Sequence, residues 1–281
     1  KRKKTMPELP EVETVKRGLS PFLAGRKIVS VKKTRPDLRW PIPGSLEHVL
    51  TGTRVLKLER RGKYILWYTQ DGMVMILHLG MSGRVLITKN LPKAKNEHDH
   101  LIFETEDGFF IRYNDPRRFG FIDIIPLKNL EEYRSLAALG PEPLSNAFNA
   151  SALQQKINKK QSPIKSVLLD QTIIAGLGNI YVCEALHRSG ISPRRKAKNI
   201  SKNKIDSLVT AIRVVLQDAI NAGGSTLKDH LQTTGEMGYF QHQFRVYSRE
   251  GEECMKKSCS GIIKRIIQSG RSTFFCGKCQ R

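Results

Sequence analysis

The chain has 281 residues, enough for two domains of ordinary size, each with its own apolar core, and too many for a single small module. Lys and Arg number 48 against 26 Asp and Glu, a net charge of +22. Lys1, Arg2, Lys3 and Lys4 supply only a small part of it, and the surplus in the body exceeds what solubility alone requires, so a polyanionic partner is expected. No run approaches the roughly 20 apolar residues that span a bilayer, and no apolar stretch follows the basic start, so a soluble intracellular protein with no membrane partner is expected.

In chain order, the run 11–19 after Pro10 sets Val12, Val15 and Leu19 at helical spacing, with acids in the first turn where the helix dipole favours them. This predicts a short amphipathic helix. From 27 to 125 short β-branched and aromatic runs (64–68, 73–79, 101–104, 109–113) alternate with glycine-containing turns, the pattern of a compact antiparallel sandwich or barrel. A helix over 127–139 follows, and Gly140-Pro-Glu-Pro-Leu-Ser-Asn is the expected hinge. Helical periodicity dominates 150–222, and strand-like residues return from Phe244. The fold expected is α+β. An N-terminal helix and antiparallel β-sandwich occupy 7–139, a linker 140–150, a helical region 151–243 and a cysteine-bearing β-ribbon 244–281, after an extension over 1–6.

Four of the five cysteines crowd the C-terminus as Cys254-x4-Cys259 and Cys276-x2-Cys279. Two such knuckles can set four thiolates tetrahedrally about one Zn2+, with no open position, so the ion would be structural. Disulfide pairing is the competing reading. Cys183 stands alone in a helical stretch and fits a small buried apolar role. Arg271, between the knuckles, offers a rigid, permanently charged fork suited to phosphate, against the alternative of a solvated surface arginine.

Ala175-Gly-Leu-Gly-Asn-Ile-Tyr181 lacks the third glycine of a dinucleotide fingerprint. A glycine-rich turn that opens a helix can still present amide N–H groups to a phosphate, with Asn179 at the cap and the Tyr181 hydroxyl beside it, flanked by Lys165, Arg188, Arg194 and Arg195. Pro7-Glu-Leu-Pro-Glu-Val-Glu13 is more than ordinary helix capping. Capping explains Pro10 and Glu11 but not Pro7 directly after Met6, where loss of the methionine would expose a secondary amine. An α-amino group has a pKa near 8 against about 10.4 for lysine, so more of it is an unprotonated nucleophile at neutral pH, able to attack a sugar C1′.

Taken with Arg61-Gly-Lys-Tyr, His78-Leu-Gly-Met-Ser-Gly, Asp115-Pro-Arg-Arg-Phe-Gly, Gly178-Asn-Ile-Tyr, Gly270-Arg-Ser-Thr-Phe-Phe and the terminal cysteines, that segment makes the chain resemble the formamidopyrimidine-DNA glycosylase family over nearly its whole length after Thr5. The related endonuclease VIII branch carries Gly where this chain has Leu9, which makes the oxidised-purine branch the nearer match. The resemblance implies a helix-two-turns-helix element in the helical region, a zinc finger at the C-terminus, and a bacterial, cytoplasmic, nucleoid-associated monomer acting on double-stranded DNA that contains oxidised purines or abasic sites. It implies a bifunctional enzyme, glycosylase and abasic-site lyase, with Pro7 as nucleophile, Glu8 moving protons at the opening sugar, and Glu11 supporting it. It further implies Lys63 on phosphate beside the lesion, and Met81, Arg117 and Phe119 filling the gap left by a flipped base, with Arg117 facing the widowed cytosine. Lys165, Asn179, Tyr181 and Arg271 would grip phosphates, and a glycine-rich segment over 223–243 would close over the flipped base.

The chain departs from the family's pattern in its first knuckle, which is two residues longer, and in residues 1–6, which must be absent from the mature enzyme for Pro7 to have a free amine. If they stay, the expectation becomes a catalytically silent binder of damaged DNA. A zinc-ribbon protein of transcription or translation is a third reading, and the motifs at the N-terminus do not support it.

Overall fold

The computed structural model describes residues 6–90, 96–225 and 239–281. The chain divides into two compact units, Lys1–Ala137 with Ala222–Tyr239, and Ala138–Asn221 with Phe240–Arg281.

The first unit opens with helix α1 (Leu9–Leu23), whose N-cap is Glu8. Pro10 sits in the first turn, where its missing N–H leaves no bond unmade. Val12, Val15, Leu19 and Leu23, spaced along one face, are all buried. Each contributes roughly 1.5–3 kcal/mol by leaving water. Strand β1 (Ile28–Lys33) and a short helix α2 (Leu46–Leu50) follow. Then come β2 (Val55–Arg61), β3 (Tyr64–Thr69), β4 (Met73–His78), β5 (Arg84–Thr88), β6 (Asp99–Thr105), β7 (Phe110–Asn114) and β8 (Phe121–Pro126).

The strands form two four-stranded antiparallel sheets, ordered β1-β6-β7-β5 and β2-β3-β4-β8, which decides for a sandwich over a barrel. Both inner faces and α1 share one apolar core, in which Trp67 of β3 meets Phe103 of β6 at a ring-centroid distance of 5.0 Å. The helix expected over 127–139 is not continuous. A 3-10 turn at Leu127–Asn129 and a four-residue helix α3 (Arg134–Ala137) replace it. Only Leu136 of that stretch is buried, so a longer helix would have no apolar face to pack, and the Tyr133 hydroxyl instead donates to Asp123 at 2.9 Å.

The second unit carries α4 (Ala150–Ile157), α5 (Ile164–Leu168), α6 (Asn179–Arg188) and α7 (Lys202–Asn221), then the antiparallel hairpin β9 (Ile263–Gln268) and β10 (Arg271–Cys276). α6 is the central element, with every residue from Ile180 to His187 buried. α7 turns Ile205, Leu208, Ile212, Val215, Leu216 and Ala219 inward. Ser269 and Gly270 take φ of +48° and +72°, the pair of positive values that a two-residue hairpin turn of this hand requires.

Two boundaries differ from the sequence expectation. Residues 140–150 are not a free linker but a packed part of the second unit. Gly140 N–H donates to Gln171 O, Arg213 donates to the carbonyls of Ser145 and Phe148, and Phe148 is buried. Residues 222–225 and Tyr239 belong to the first unit, whereas the sequence reading places them in the helical region 151–243. Since Leu19 lies at the shared core of helix and sheets, Leu19→Ala is expected to cost about 2–5 kcal/mol, seen as a fall in the thermal midpoint of the first unit.

Candidate catalytic and nucleic-acid-binding site

Pro7, Glu8 and Glu11 are all buried at the start of α1. Glu8 and Glu11 form a capping box, in which Glu8 N–H donates to Glu11 Oε2 at 2.9 Å and the Glu8 side chain accepts the backbone N–H of Glu11. Glu11 Oε1 also accepts the N–H and hydroxyl of Ser225, both at 2.8 Å. This ties the helix start to the point where Ser225 and Tyr239 pair. Gly224 is required beside it, because its φ is +80° and a Cβ would press on Glu11 Cγ at 3.3 Å. The segment expected to close over a flipped base lies, between 226 and 238, outside the described residues.

Lys63 is buried in the β2–β3 turn, and Arg60 at the end of β2 joins that hairpin to α1 through Glu13 at 3.0 Å. Glu13 also takes Lys16 and Arg17. Burial alone would raise its carboxyl, and these three cations together hold it below the usual range. His78, at the end of β4, stacks on Phe121 and packs against Tyr64, and its Nδ1 accepts Gly80 N–H at 3.1 Å. Burial, aided by Lys63 and Arg39, pushes its imidazole down to about 4, so the ring is neutral with the proton on Nε2.

Met81 stands on the loop after β4, and Arg117, Arg118 and Phe119 on the loop between β7 and β8. The two loops are built as one piece around the Asp115 carboxylate, which accepts Ser82 Oγ, Tyr113 OH and Gly120 N–H at 2.5, 3.2 and 2.8 Å. Ser82 Oγ in turn accepts Arg117 N–H at 3.1 Å, the backbone of Phe119 and Gly120 leaves no space for a Cβ at Gly80, and the Tyr113 hydroxyl and His78 O leave none at Gly120. Arg118 takes a φ of +58°, so the chain reverses sharply here. The result is a ridge on which Phe119 is exposed and the Arg117 guanidinium lies 4.8 Å above its ring. Arg39 joins from a third loop by donating its N–H to Gly120 O.

In the second unit, Ser272 O accepts both Asn179 Nδ2 at 2.9 Å and Lys165 Nζ at 3.3 Å, which docks the hairpin next to exposed Arg271. One expectation changes here, and two side chains prove to be buried. Gly178, not Asn179, caps α6, and Asn179 is its first helical residue. Lys165 is fully buried, with Nζ also on Thr273 Oγ1 at 2.7 Å, so its ammonium ties α5 to the hairpin. Tyr181 is likewise buried, its ring 5.7 Å from that of Phe240. Sequence periodicity cannot tell a basic helix face that meets solvent from one that meets a neighbouring strand.

The four cysteines come together as the spacing predicted, their Sγ atoms all within 4.8 Å of one another. Cys254 to Cys279 and Cys259 to Cys276 measure 3.8 and 3.6 Å. Four Zn–S bonds of about 2.3 Å imply tetrahedral edges of about 3.8 Å, so the set fits one zinc ion. The longer knuckle is absorbed by a turn in which Cys259 N–H donates to Lys256 O. Residues that spacing did not reveal also matter: Ser225, Asp115 and Glu184. Glu184 accepts the N–H groups of Arg245, Val246 and Tyr247 and thereby anchors the chain entering the finger to α6. Asp115 opens Asp-Pro-Arg-Arg-Phe-Gly, and the proline after it signals a fixed turn, but its partners lie 2 to 33 residues away in sequence.

A helix-capped sandwich opening with Pro-Glu, joined in sequence to a helical unit that ends in a four-cysteine ribbon, defines a zinc-finger protein of the helix-two-turns-helix class. Family models for the formamidopyrimidine-DNA glycosylase N-terminal domain, its H2TH domain and a zinc finger found in FPG and IleRS match residues 6–122, 139–230 and 251–281. Formamidopyrimidine-DNA glycosylases from Ruegeria sp. (strain TM1040) and Caulobacter vibrioides (strain NA1000 / CB15N) are 53% and 51% identical over 98% of this chain and 100% of the relative. Crystal structures of a Lactococcus lactis FPG mutant with Fapy-dG containing DNA, and of Lactococcus lactis Fpg with abasic-site DNA, superpose with a TM-score of 0.89 at 36% and 35% identity, over 98% of this chain and 100% of theirs. The chain belongs to the formamidopyrimidine-DNA glycosylase family. Among the described residues no helix is long and apolar enough to cross a membrane.

Two outcomes follow. A Cβ at Gly261 would stand 2.6 Å from Cys276 Sγ, so Gly261→Ala is expected to lower bound zinc below one equivalent, measured by metal analysis after dialysis. A histidine depressed to about 4 from 6.5 stabilises the fold fully above about pH 6.5 and progressively less down to 4, because the unfolded chain then binds the extra proton. Thermal melts of wild type and His78→Gln should therefore converge, or cross in the variant's favour, between about pH 7.5 and about pH 4.5.

Proposed function

We propose that the protein removes oxidised purines, formamidopyrimidines and 8-oxoguanine opposite cytosine, from duplex DNA and cleaves the abasic site it creates, with Pro7 as nucleophile. The observation that carries this reading is the buried Glu8–Glu11 pair immediately after Pro7, a proton-handling carboxylate and its fixed support beside a potential secondary amine. Relatives in this family have been solved with Fapy-dG, abasic-site and carbocyclic 8-oxo-G containing DNA, which supports the substrate class.

Once Met6 and whatever precedes it are removed, the neutral Pro7 nitrogen attacks C1′, a C–N bond forms, the glycosidic bond breaks with its electron pair leaving on the base, and the proline N–H proton passes to that departing base. Glu8 donates a proton to the ring oxygen as the sugar opens to an iminium ion. Loss of a C2′ proton then expels the 3′ phosphate, a second elimination expels the 5′ phosphate, and water releases the proline, leaving a one-nucleotide gap. Glu11 positions Glu8. Lys63 and Arg271 bind phosphates, and Asn179, with Lys165 and Tyr181 behind it, supports the hairpin that carries Arg271. Phe119 wedges into the stack, Met81 fills the void and Arg117 donates to the widowed cytosine. The zinc ion, held by Cys254, Cys259, Cys276 and Cys279, has a structural role only. The protein would act in the cytoplasm, at the nucleoid, as a monomer.

Borohydride trapping on an 8-oxoguanine:cytosine duplex, with mass spectrometry to define the protein's N-terminus, tests the nucleophile. A reduced adduct mapped to Pro7 is expected, and Pro7→Gly should lose cleavage while keeping affinity. Full lyase activity in Pro7→Gly would refute the assignment. Binding without an adduct, from protein shown to begin at Pro7, would identify a silent lesion binder. Arg117→Ala should lower damaged-duplex affinity by about 1–3 kcal/mol and relax the preference for cytosine, measured by competitive binding.

A further inference from the structure

We infer that His187 donates its Nε2–H to the Cys254 thiolate and so sets how tightly the finger holds zinc. His187 lies in the last turn of α6, is 3% exposed, and places Nε2 3.3 Å from Cys254 Sγ. That is an N–H···S distance, and His187 is not among the residues whose ligand atoms converge, so it touches a ligand without being one. Its Nδ1 is buried and has no hydrogen-bond partner among the described residues, so there the contact with sulfur is the polar interaction on this ring. The placement is held from a second point. Glu184, three residues earlier on the same helix, accepts the N–H groups of residues 245–247, which fixes α6 against the chain that leads into Cys254.

Four thiolates give a zinc site a net charge of −2, and an N–H donated to one of them offsets part of that charge and restrains the sulfur. His187 is a positioning residue: it acts on the metal through Cys254.

The test uses the full-length zinc protein and its cobalt(II)-substituted form. His187→Phe removes the donor while keeping a ring, and His187→Gln restores an N–H at similar reach. Zinc release to a chromogenic chelator should quicken roughly ten- to a hundredfold in His187→Phe and recover at least partly in His187→Gln. The sulfur-to-cobalt charge-transfer band should move to lower energy in the Phe variant and return towards wild type in Gln, a signature that altered packing alone would not produce. An unshifted band with a wild-type release rate in His187→Phe overturns the inference, as does a Gln variant no different from Phe. Should His187→Phe fail to fold, nitrogen-15 spectra of the histidines in wild-type zinc protein decide: an Nε2–H tautomer supports the bond and an Nδ1–H tautomer refutes it.

Discussion

The carboxylate of Glu11 is the constraint on which the start of α1 depends. A buried charge is costly unless hydrogen bonds replace the water it loses, and Glu11 receives the amide of Glu8 and both donors of Ser225. Those bonds fix the direction in which the backbone enters α1, and with it the place of Pro7 and the Glu8 carboxylate. The same group holds Gly224 and Ser225, the last described residues before the segment expected to cover a flipped base. One side chain thus couples the helix that follows Pro7 to Ser225, more than 200 residues later in sequence.

The device recurs. Asp115 gathers a serine hydroxyl, a tyrosine hydroxyl and a glycine amide into one rigid turn, and the ridge bearing Arg117 and Phe119 rests on it. Glu184 gathers three successive amides at the root of the finger. In each case a carboxylate supplies acceptors to backbone that belongs to no helix or sheet, so loops keep a single shape. A ridge that presents exposed side chains gains from such a support, because side-chain and loop freedom lost on binding any partner subtracts from affinity.

This use of acids also bears on charge. Glu8, Glu11, Glu13, Asp99, Asp115 and Glu184 are all buried, and Asp99 is spent on Arg112 at 2.7 Å. With these acids inside, the solvent-facing surface is more basic than the formal +22 conveys. A polyanion meets that surface, and its attraction weakens with salt as counterions are no longer released.

The sequence by itself determined the elements whose information is local: α1 from apolar spacing, the sandwich strands from β-branched alternation, the zinc ligands from two knuckles, and the family from motifs in order. It also placed the glutamates after Pro7, since capping acts within four residues. What only the tertiary structure decided were properties set by distant partners. Lys165 turned inward because Ser272 and Thr273, over a hundred residues on, lie against it. Residues 140–150 became packed chain through Gln171 and Arg213, and the 127–139 helix broke for want of a core to face. His187 reads as one more interior residue of α6 until Cys254 is brought beside it. Spacing reports which face a residue occupies; only the folded chain determines what that face meets, because burial and electrostatics depend on neighbours in space.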